Sequence, residues 1–181
     1  MGILRLLDQL ESTSRKHFIP SISRIDGAAL ASLAFQAPKG TILDLGAGIG
    51  YSTLWLAIGA QPYHKIISVE YDQNLYTELE HYVEEITKTT GIEIIPVKAE
   101  AVEYLKTMPE KTIALAFIDI EKYQYPQALQ ELLPRLVPGA TMAFHNAYTP
   151  RPPQKFFQLI EQYKITYKII PSESGLLIAK P

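Results

Sequence analysis

The chain has 181 residues, 47% of them hydrophobic and 20% charged, with a formal net charge of −2. That length suits one domain with a full core, and the near-neutral charge gives no electrostatic case for nucleic acid or an anionic membrane as the main partner. There is no cysteine, which excludes disulfides, thiolate catalysis and cysteine-ligated zinc and fits a cytoplasmic setting.

No apolar run reaches transmembrane length. Met1 to Phe18 carries charges through its apolar positions and lacks a signal-peptide core. It reads as an amphipathic helix with Ile3, Leu6, Leu7 and Leu10 on one face. Packing on the domain is the expected role, and contact with a second copy in a homodimer is the alternative. Residues 19–27 read as an extended linker, followed by a helix over Ala28–Phe35. Pro38-Lys39-Gly40 is a turn before the first strand.

Thr41-Ile42-Leu43-Asp44-Leu45 is a short apolar run closed by Gly46-x-Gly48-x-Gly50. It reads as a buried strand, a tight turn that lets a ligand approach the backbone, and a helix over Ser52–Ile58. In that helix Leu54, Trp55 and Ile58 are expected to face inward. Lys65–Glu70 is a second strand ending in an acid, and Asp72 is placed to cap the next helix. Leu75, Leu79, Tyr82, Val83 and Ile86 recur at helical spacing before Gly91 stops that helix. A third strand, Ile92–Val97, leads into a short helix over Glu100–Met108. Thr112–Ile118 is a fourth strand, apolar at most positions, and Asp119 closes it.

Pro126 suits the first turn of the following helix, which Pro134 ends or kinks. Pro138-Gly139 is expected to turn the chain back into a fifth strand, Ala140–Phe144, which runs into His145-Asn146. A proline-rich loop over 147–154, a last helix and a hairpin formed by Ile165–Ile170 and Leu176–Ala179 complete the chain. Alternating strands and helices imply a parallel sheet covered on both faces. Ligands of such sheets sit beyond the carboxyl ends of the strands. Asp44, Glu70, Asp119 and His145-Asn146 should therefore crowd one rim.

The dinucleotide fingerprint is Gly-x-Gly-x-x-Gly, and the run here is one residue tighter. Glu70 lies about 20 residues past the glycines, where an acid can accept hydrogen bonds from ribose hydroxyls. A nicotinamide-type oxidoreductase is thus one reading of the turn. A second is more specific. Ile42-Leu43-Asp44-Leu45-Gly46-x-Gly48-x-Gly50-Tyr51-Ser52-Thr53 resembles the first motif of S-adenosylmethionine-dependent methyltransferases, with the Gly-Tyr-Ser ending of the catechol and caffeoyl-CoA O-methyltransferase group. Phe117-Ile118-Asp119-x-x-Lys122-x-x-Tyr125, Leu133-Pro-Arg-Leu-Val-Pro-Gly139 and Gly175-Leu-Leu-Ile-Ala-Lys180 extend the resemblance over about residues 20–181.

The resemblance implies an α/β, Rossmann-like seven-stranded methyltransferase sheet of order 3-2-1-4-5-7-6, strand 7 antiparallel, with helices on both faces. It implies one domain over 1–181, with an N-terminal helical segment at 1–40 and an α/β core at 41–181. It places Asp44 and Gly46 against the methionine part of S-adenosylmethionine, Ser52 on its carboxylate, Glu70 on the ribose and Ala99-Glu100-Ala101 beside the adenine, with Gly48, Gly50 and Asp119 also among the cofactor-binding residues. Ser23 to Gly27 are expected to cover the cofactor. In the group, the aspartate after strand 4 binds a divalent metal with an Asp-Asn pair after strand 5; the metal chelates neighbouring acceptor hydroxyls, and a lysine helps take the proton.

Asp119 and Lys122 match that pattern, but the pair here is His145-Asn146. An Asp119, His145, Asn146 set carries one negative charge and an imidazole. That favours zinc, manganese, iron, cobalt or nickel over magnesium, or leaves the site empty. Three roles stay open for His145: metal ligand, general base, or a histidine satisfied at a strand end. The expected catalytic residues are Lys122, Asp119 and His145, acting in O-methylation of a small-molecule acceptor. A binding protein that keeps the cofactor site without transfer chemistry is the non-enzyme alternative. The loop at Ala147–Gln154 is short, which implies an open acceptor pocket.

Overall fold

The computed structural model describes residues 2–181, so the Met1 end of the first expected helix lies outside the described residues. Helix α1 (Ile3–Lys16) buries Leu6, Leu7 and Leu10 and leaves its charged face to solvent. Helix α2 begins at Arg24, earlier than the spacing of its apolar residues suggests, and ends at Gln36. Ser23 caps it, its hydroxyl oxygen accepting from the Asp26 N–H. The expected linker therefore stops at the cap, and Asp26 belongs to a helical first turn.

Strands β1 (Thr41–Leu45), β2 (Lys65–Glu70), β3 (Glu93–Lys98), β4 (Ile113–Ile118) and β5 (Leu136–Phe144) run parallel. Their crossovers are α3 (Tyr51–Gly59), α4 (Gln73–Thr90), α5 (Ala101–Thr107) and α6 (Tyr125–Leu132). Helix α7 (Gln154–Gln162) leads to the hairpin of β6 (Thr166–Ile170) and β7 (Leu176–Lys180). The sheet has seven strands in the order β3-β2-β1-β4-β5-β7-β6, with β7 antiparallel to both its neighbours. This is the expected order.

Two cores flank the sheet. One joins α1 to α4 with Ile42, Ile66, Leu115 and Phe117; the other joins α5 to α7 with Leu43, Leu45, Ile118 and Phe144. Successive strand residues thus feed opposite cores, and a sheet buried on both faces reads as continuous apolar runs. Helix α3 is wedged between the sheet and α2. Leu54 is fully buried as expected, while Trp55 and Ile58 are partly buried against the same core. A Cβ at Gly59 would come within 1.8 Å of the Ala31 carbonyl oxygen, so only glycine permits this approach of α2.

Pro138-Gly139 does not reverse the chain. Strand β5 starts at Leu136 opposite Ile113, and pairing resumes with Thr141 opposite Leu115. The turn residues are the outward loop of a bulge inside one strand, with Gly139 at φ 81. Among the described residues no helix is long and apolar enough to cross a membrane.

Candidate functional site

A cavity of about 510 Å³ lies over the carboxyl ends of β1, β2 and β4. Gly46, Gly48, Glu70, Ala99 and Glu100 line one end; Asp119, Lys122, His145 and Asn146 line the other. Ile19, Pro20 and Ser21 close it from the N-terminal side. The covering segment is therefore just upstream of the expected Ser23–Gly27.

The first end is built from backbone. Gly46 N and Ala47 N donate to the Val69 carbonyl at 3.0 and 3.1 Å, which pins the turn to β2. Gly46 has φ 87, and a Cβ there would stand 2.2 Å from the Asp119 carbonyl oxygen. The turn thus presses against the end of β4, and glycine is required on both counts. Gly50 caps α3 in the left-handed conformation. Glu70 is 5% exposed. Its Oε2 accepts from Gly48 N, and its Oε1 from Tyr71 N and Asp72 N, all at 2.9 Å. It is a carboxylate fixed by three backbone donors rather than a solvated strand end.

Asp44 is fully buried behind the turn. Its Oδ2 accepts from Ser52 Oγ at 2.8 Å and Thr53 Oγ1 at 2.6 Å, while Oδ1 has no partner. Burial pushes its pKa up; the two hydroxyls oppose this, the charges of Asp119 and Glu70 add to it, and the result is about 7. Ser52 spends its hydroxyl proton on Asp44, so toward an anion it offers only its backbone N–H in the first turn of α3. Ala99 N donates to the Glu70 carbonyl at 3.2 Å. Glu100 caps α5 through Glu103 N and accepts from Gln124 Nε2, so its carboxylate is committed at the cavity edge.

The second end is built from charges. Asp119 Oδ1 accepts from Lys122 Nζ at 2.9 Å, and that ammonium also donates to the Ile120 carbonyl. Asp119 Oδ2 accepts from His145 Nδ1 at 3.0 Å. The other ring nitrogen, Nε2, lies 3.5 Å from Asp26 Oδ2. Burial opposes charge on His145, but the two aspartates outweigh it and raise its pKa to about 9. Burial likewise pushes Asp119 and Asp26 upward, and hydrogen bonds and charge, His145 foremost, hold both below the usual range instead. The Tyr125 hydroxyl lies within 3.0 Å of the Ile118 and His145 carbonyls and ties the ends of β4 and β5 together.

Residues 43–147 match the family described as methyltransferase domain, more than half of the chain. The chain belongs to this methyltransferase family. It is 28% identical over 129 residues to a catechol O-methyltransferase of Niastella koreensis, a match over 70% of this chain and 58% of that relative's length. Among solved structures, the O-methyltransferase of Bacillus cereus in complex with SAH superposes with TM-score 0.81 at 18% identity, over 97% of this chain and 90% of the other. The O-methyltransferase TomG of Streptomyces achromogenes, in complex with SAM, gives 0.75 at 21% identity, over 96% and 88%. At such identities these two likenesses carry the fold.

Within the methyltransferase fold, the expected metal set of Asp119, His145 and Asn146 does not fit a divalent ion. A ligating histidine needs a bare nitrogen lone pair. His145 instead hydrogen-bonds Asp119 through Nδ1, while Nε2 is shut off from solvent, makes no hydrogen bond and lies 3.5 Å from the Asp26 carboxylate. Asn146 sits at φ 57 with its side-chain amide donating to the Thr149 carbonyl. Among the described residues no group of three histidine, aspartate or glutamate side chains could hold a metal ion. Asp26 is the residue that sequence reasoning missed. Ser23-x-x-Asp26 has the form of a capping box and announces a helix start, but nothing local announces a neighbour at the end of β5.

Proposed function

We propose that the chain is an S-adenosylmethionine-dependent O-methyltransferase acting on a small hydroxylated acceptor. The observation that carries this reading is Glu70. A carboxylate has about four lone-pair sites, and three are taken by backbone donors. The remaining capacity points to ribose hydroxyls above the glycine turn, and the three donors hold the oxygens in place for them. The free N–H groups in the first turn of α3 suit the carboxylate of the methionine part.

When bound, S-adenosylmethionine supplies an electrophilic methyl on a sulfonium. An acceptor oxygen held in line would take that methyl, the new C–O bond replacing the C–S bond, whose electrons would stay on a neutral thioether. The chain contributes alignment along that line. The Lys122 ammonium, held by its ion pair with Asp119, is the group we assign to the acceptor oxygen, where its positive charge favours loss of the hydroxyl proton to solvent. His145 and Asp26 fix Asp119 from the other side.

The test is ligand-induced stabilisation. S-adenosylhomocysteine at about 100 times its dissociation constant should add about 2.7 kcal/mol, a rise in Tm of roughly 5–10 °C for a chain of this size. NAD should leave Tm unchanged. Absence of stabilisation by either form of the methyl cofactor overturns the reading. Transfer of a labelled methyl group to a panel of phenols then separates an enzyme from a protein that only binds the cofactor.

A further inference from the structure

Asp26 is 1% exposed, yet it sits in the first turn of a helix, where a carboxylate can favour the helix from solvent. Nothing about capping demands its burial. Ser23 Oγ donates to its Oδ2 at 2.8 Å and the Ser172 hydroxyl stands near the carboxylate, while its Oδ1 makes no hydrogen bond. Burying a carboxylate this thoroughly costs several kcal/mol unless a cation lies close. What the fold brings to it is the ring of His145, itself 7% exposed at the side chain, with Nε2 at 3.5 Å, an ion-pair distance rather than a hydrogen bond. On the far side of that ring stands Asp119, and on the far side of Asp119 stands Lys122. The four groups alternate in sign from the α2 N-terminus to the acceptor end of the cavity.

Two carboxylates bracketing one positive centre is also how a protein holds a divalent ion. Here the centre is a side chain. We propose that His145, clasped between Asp26 and Asp119, stands where a divalent ion would otherwise sit, that Asp26 is the positioning residue that makes this work, and that the acceptor is a molecule with a single hydroxyl to methylate rather than a chelating vicinal diol. The substrate part rests on the O-methyltransferase reading. A metal that chelates two neighbouring oxygens rewards a diol. A clasped imidazole offers no open coordination positions and gives no such reward. Asp119 has one oxygen on His145 and the other on Lys122. The group left to meet the acceptor hydroxyl is therefore Lys122.

The experiment has an arm that needs no turnover. Calorimetric titration of the full chain with Mg²⁺, Mn²⁺ and Zn²⁺ is compared with the same titrations of His145→Asp, which restores a third carboxylate at that corner. The variant should bind Mg²⁺ or Mn²⁺ at least tenfold more tightly than the wild type. Equal or tighter binding by the wild type overturns the proposal. Asp26→Asn keeps the shape of the side chain and removes its charge. It should lower kcat 10- to 100-fold with the KM for the methyl donor unchanged, Asp26→Glu should recover part of the loss, and a kcat for Asp26→Asn within twofold of wild type counts against the positioning role. For acceptors, kcat/KM for a monophenol and the matching catechol should agree within about threefold and be insensitive to EDTA. A catechol preference of 100-fold that EDTA abolishes sinks the substrate assignment. Stabilisation of the wild type by S-adenosylhomocysteine is measured alongside; its failure strikes the functional reading and leaves the metal titrations to speak for the clasp.

Discussion

The two ends of the cavity are made of different materials. At the glycine turn the polar contacts are backbone N–H groups and two carboxylates drawn from one stretch, Asp44 to Asp72. At the opposite end the contacts are side-chain charges from α2, the end of β4, the turn after it and the end of β5. A cradle of backbone donors is preformed by local geometry and tolerates change in neighbouring side chains. A row of alternating charges is cooperative, because each member offsets the burial of the next. The two constructions meet at Gly46, whose Cα faces the carbonyl of Asp119.

That meeting point should give the largest effect. In Gly46→Ala the new Cβ would stand 2.2 Å from a backbone oxygen, at a φ of 87 that L residues rarely adopt. Neither neighbour is a flexible side-chain tip. A loss of more than about 4 kcal/mol is expected, within the range where a single change unfolds a domain. Gly48→Ala is the control: its φ is 55, and a Cβ meets nothing within 4 Å. Backbone strain alone should then cost about 1–2 kcal/mol. Urea midpoints of the two variants measure the difference. Equal losses would mean that the turn and the end of β4 are not in forced contact.

Asp44 and the two aspartates at the other end answer pH with opposite signs, and His145, raised to about 9, loses its contribution as pH rises from about 6.5 to 9. Asp44 has its pKa raised from the ordinary carboxylate value of 3.8 to about 7. The folded state prefers it protonated, so its contribution to stability declines as pH rises from about 4 to 7 and is flat above. Asp26 and Asp119 have lowered values, so their contribution is present above the ordinary value and is lost as pH falls through the folded one. Asp44→Asn should remove the first slope and leave the second. Relative to wild type, the variant gains stability between pH 4 and pH 8, by up to a few kcal/mol at about 1.4 kcal/mol per pKa unit. Thermal unfolding across that range checks it, and a wild-type profile parallel to that of Asp44→Asn would show that Asp44 is not strained by its burial.

What could be read in advance follows the same division. Gly46-x-Gly48-x-Gly50 and Glu70 were legible because each rests on residues near one another in the chain, and the strand order was legible only through the resemblance that those motifs carry. Asp119 and Lys122 were legible as a pair through the Asp-x-x-Lys-x-x-Tyr signature that carries the resemblance. The clasp was not. Asp26 and His145 are separated by most of the chain, and only the packing of α2 beside the end of β5 joins them. Apolar spacing placed the start of α2 at Ala28, which left Asp26 in a linker; the cap at Ser23 moves it into a helix. Pro138-Gly139 misled for a similar reason. The pair has the chemistry of a turn, and whether a turn ends a strand or bulges out of it depends on the partner strand, here Ile113 to Leu115.

A smaller effect asks how far the glycine-turn end extends toward the N-terminus. Tyr51, 4% exposed in the first turn of α3, donates its hydroxyl to Glu11 on α1. Arg24 pairs with the same carboxylate and is the larger cause of its pKa falling to about 2; burial opposes this, and Tyr51 assists. Removing the hydroxyl in Tyr51→Phe keeps the ring in place and leaves Glu11 its arginine. The expected cost is about 1.5 kcal/mol, the low end for a hydrogen bond to a charged group. Because the hydroxyl proton is spent on Glu11, the stabilisation by S-adenosylhomocysteine should be the same in the variant and the wild type. A tenfold loss of affinity with no loss of stability would reverse that assignment. It would make Tyr51 a contact of the ligand and α1 a part of the cofactor end, and the cradle would then no longer be a matter of backbone alone.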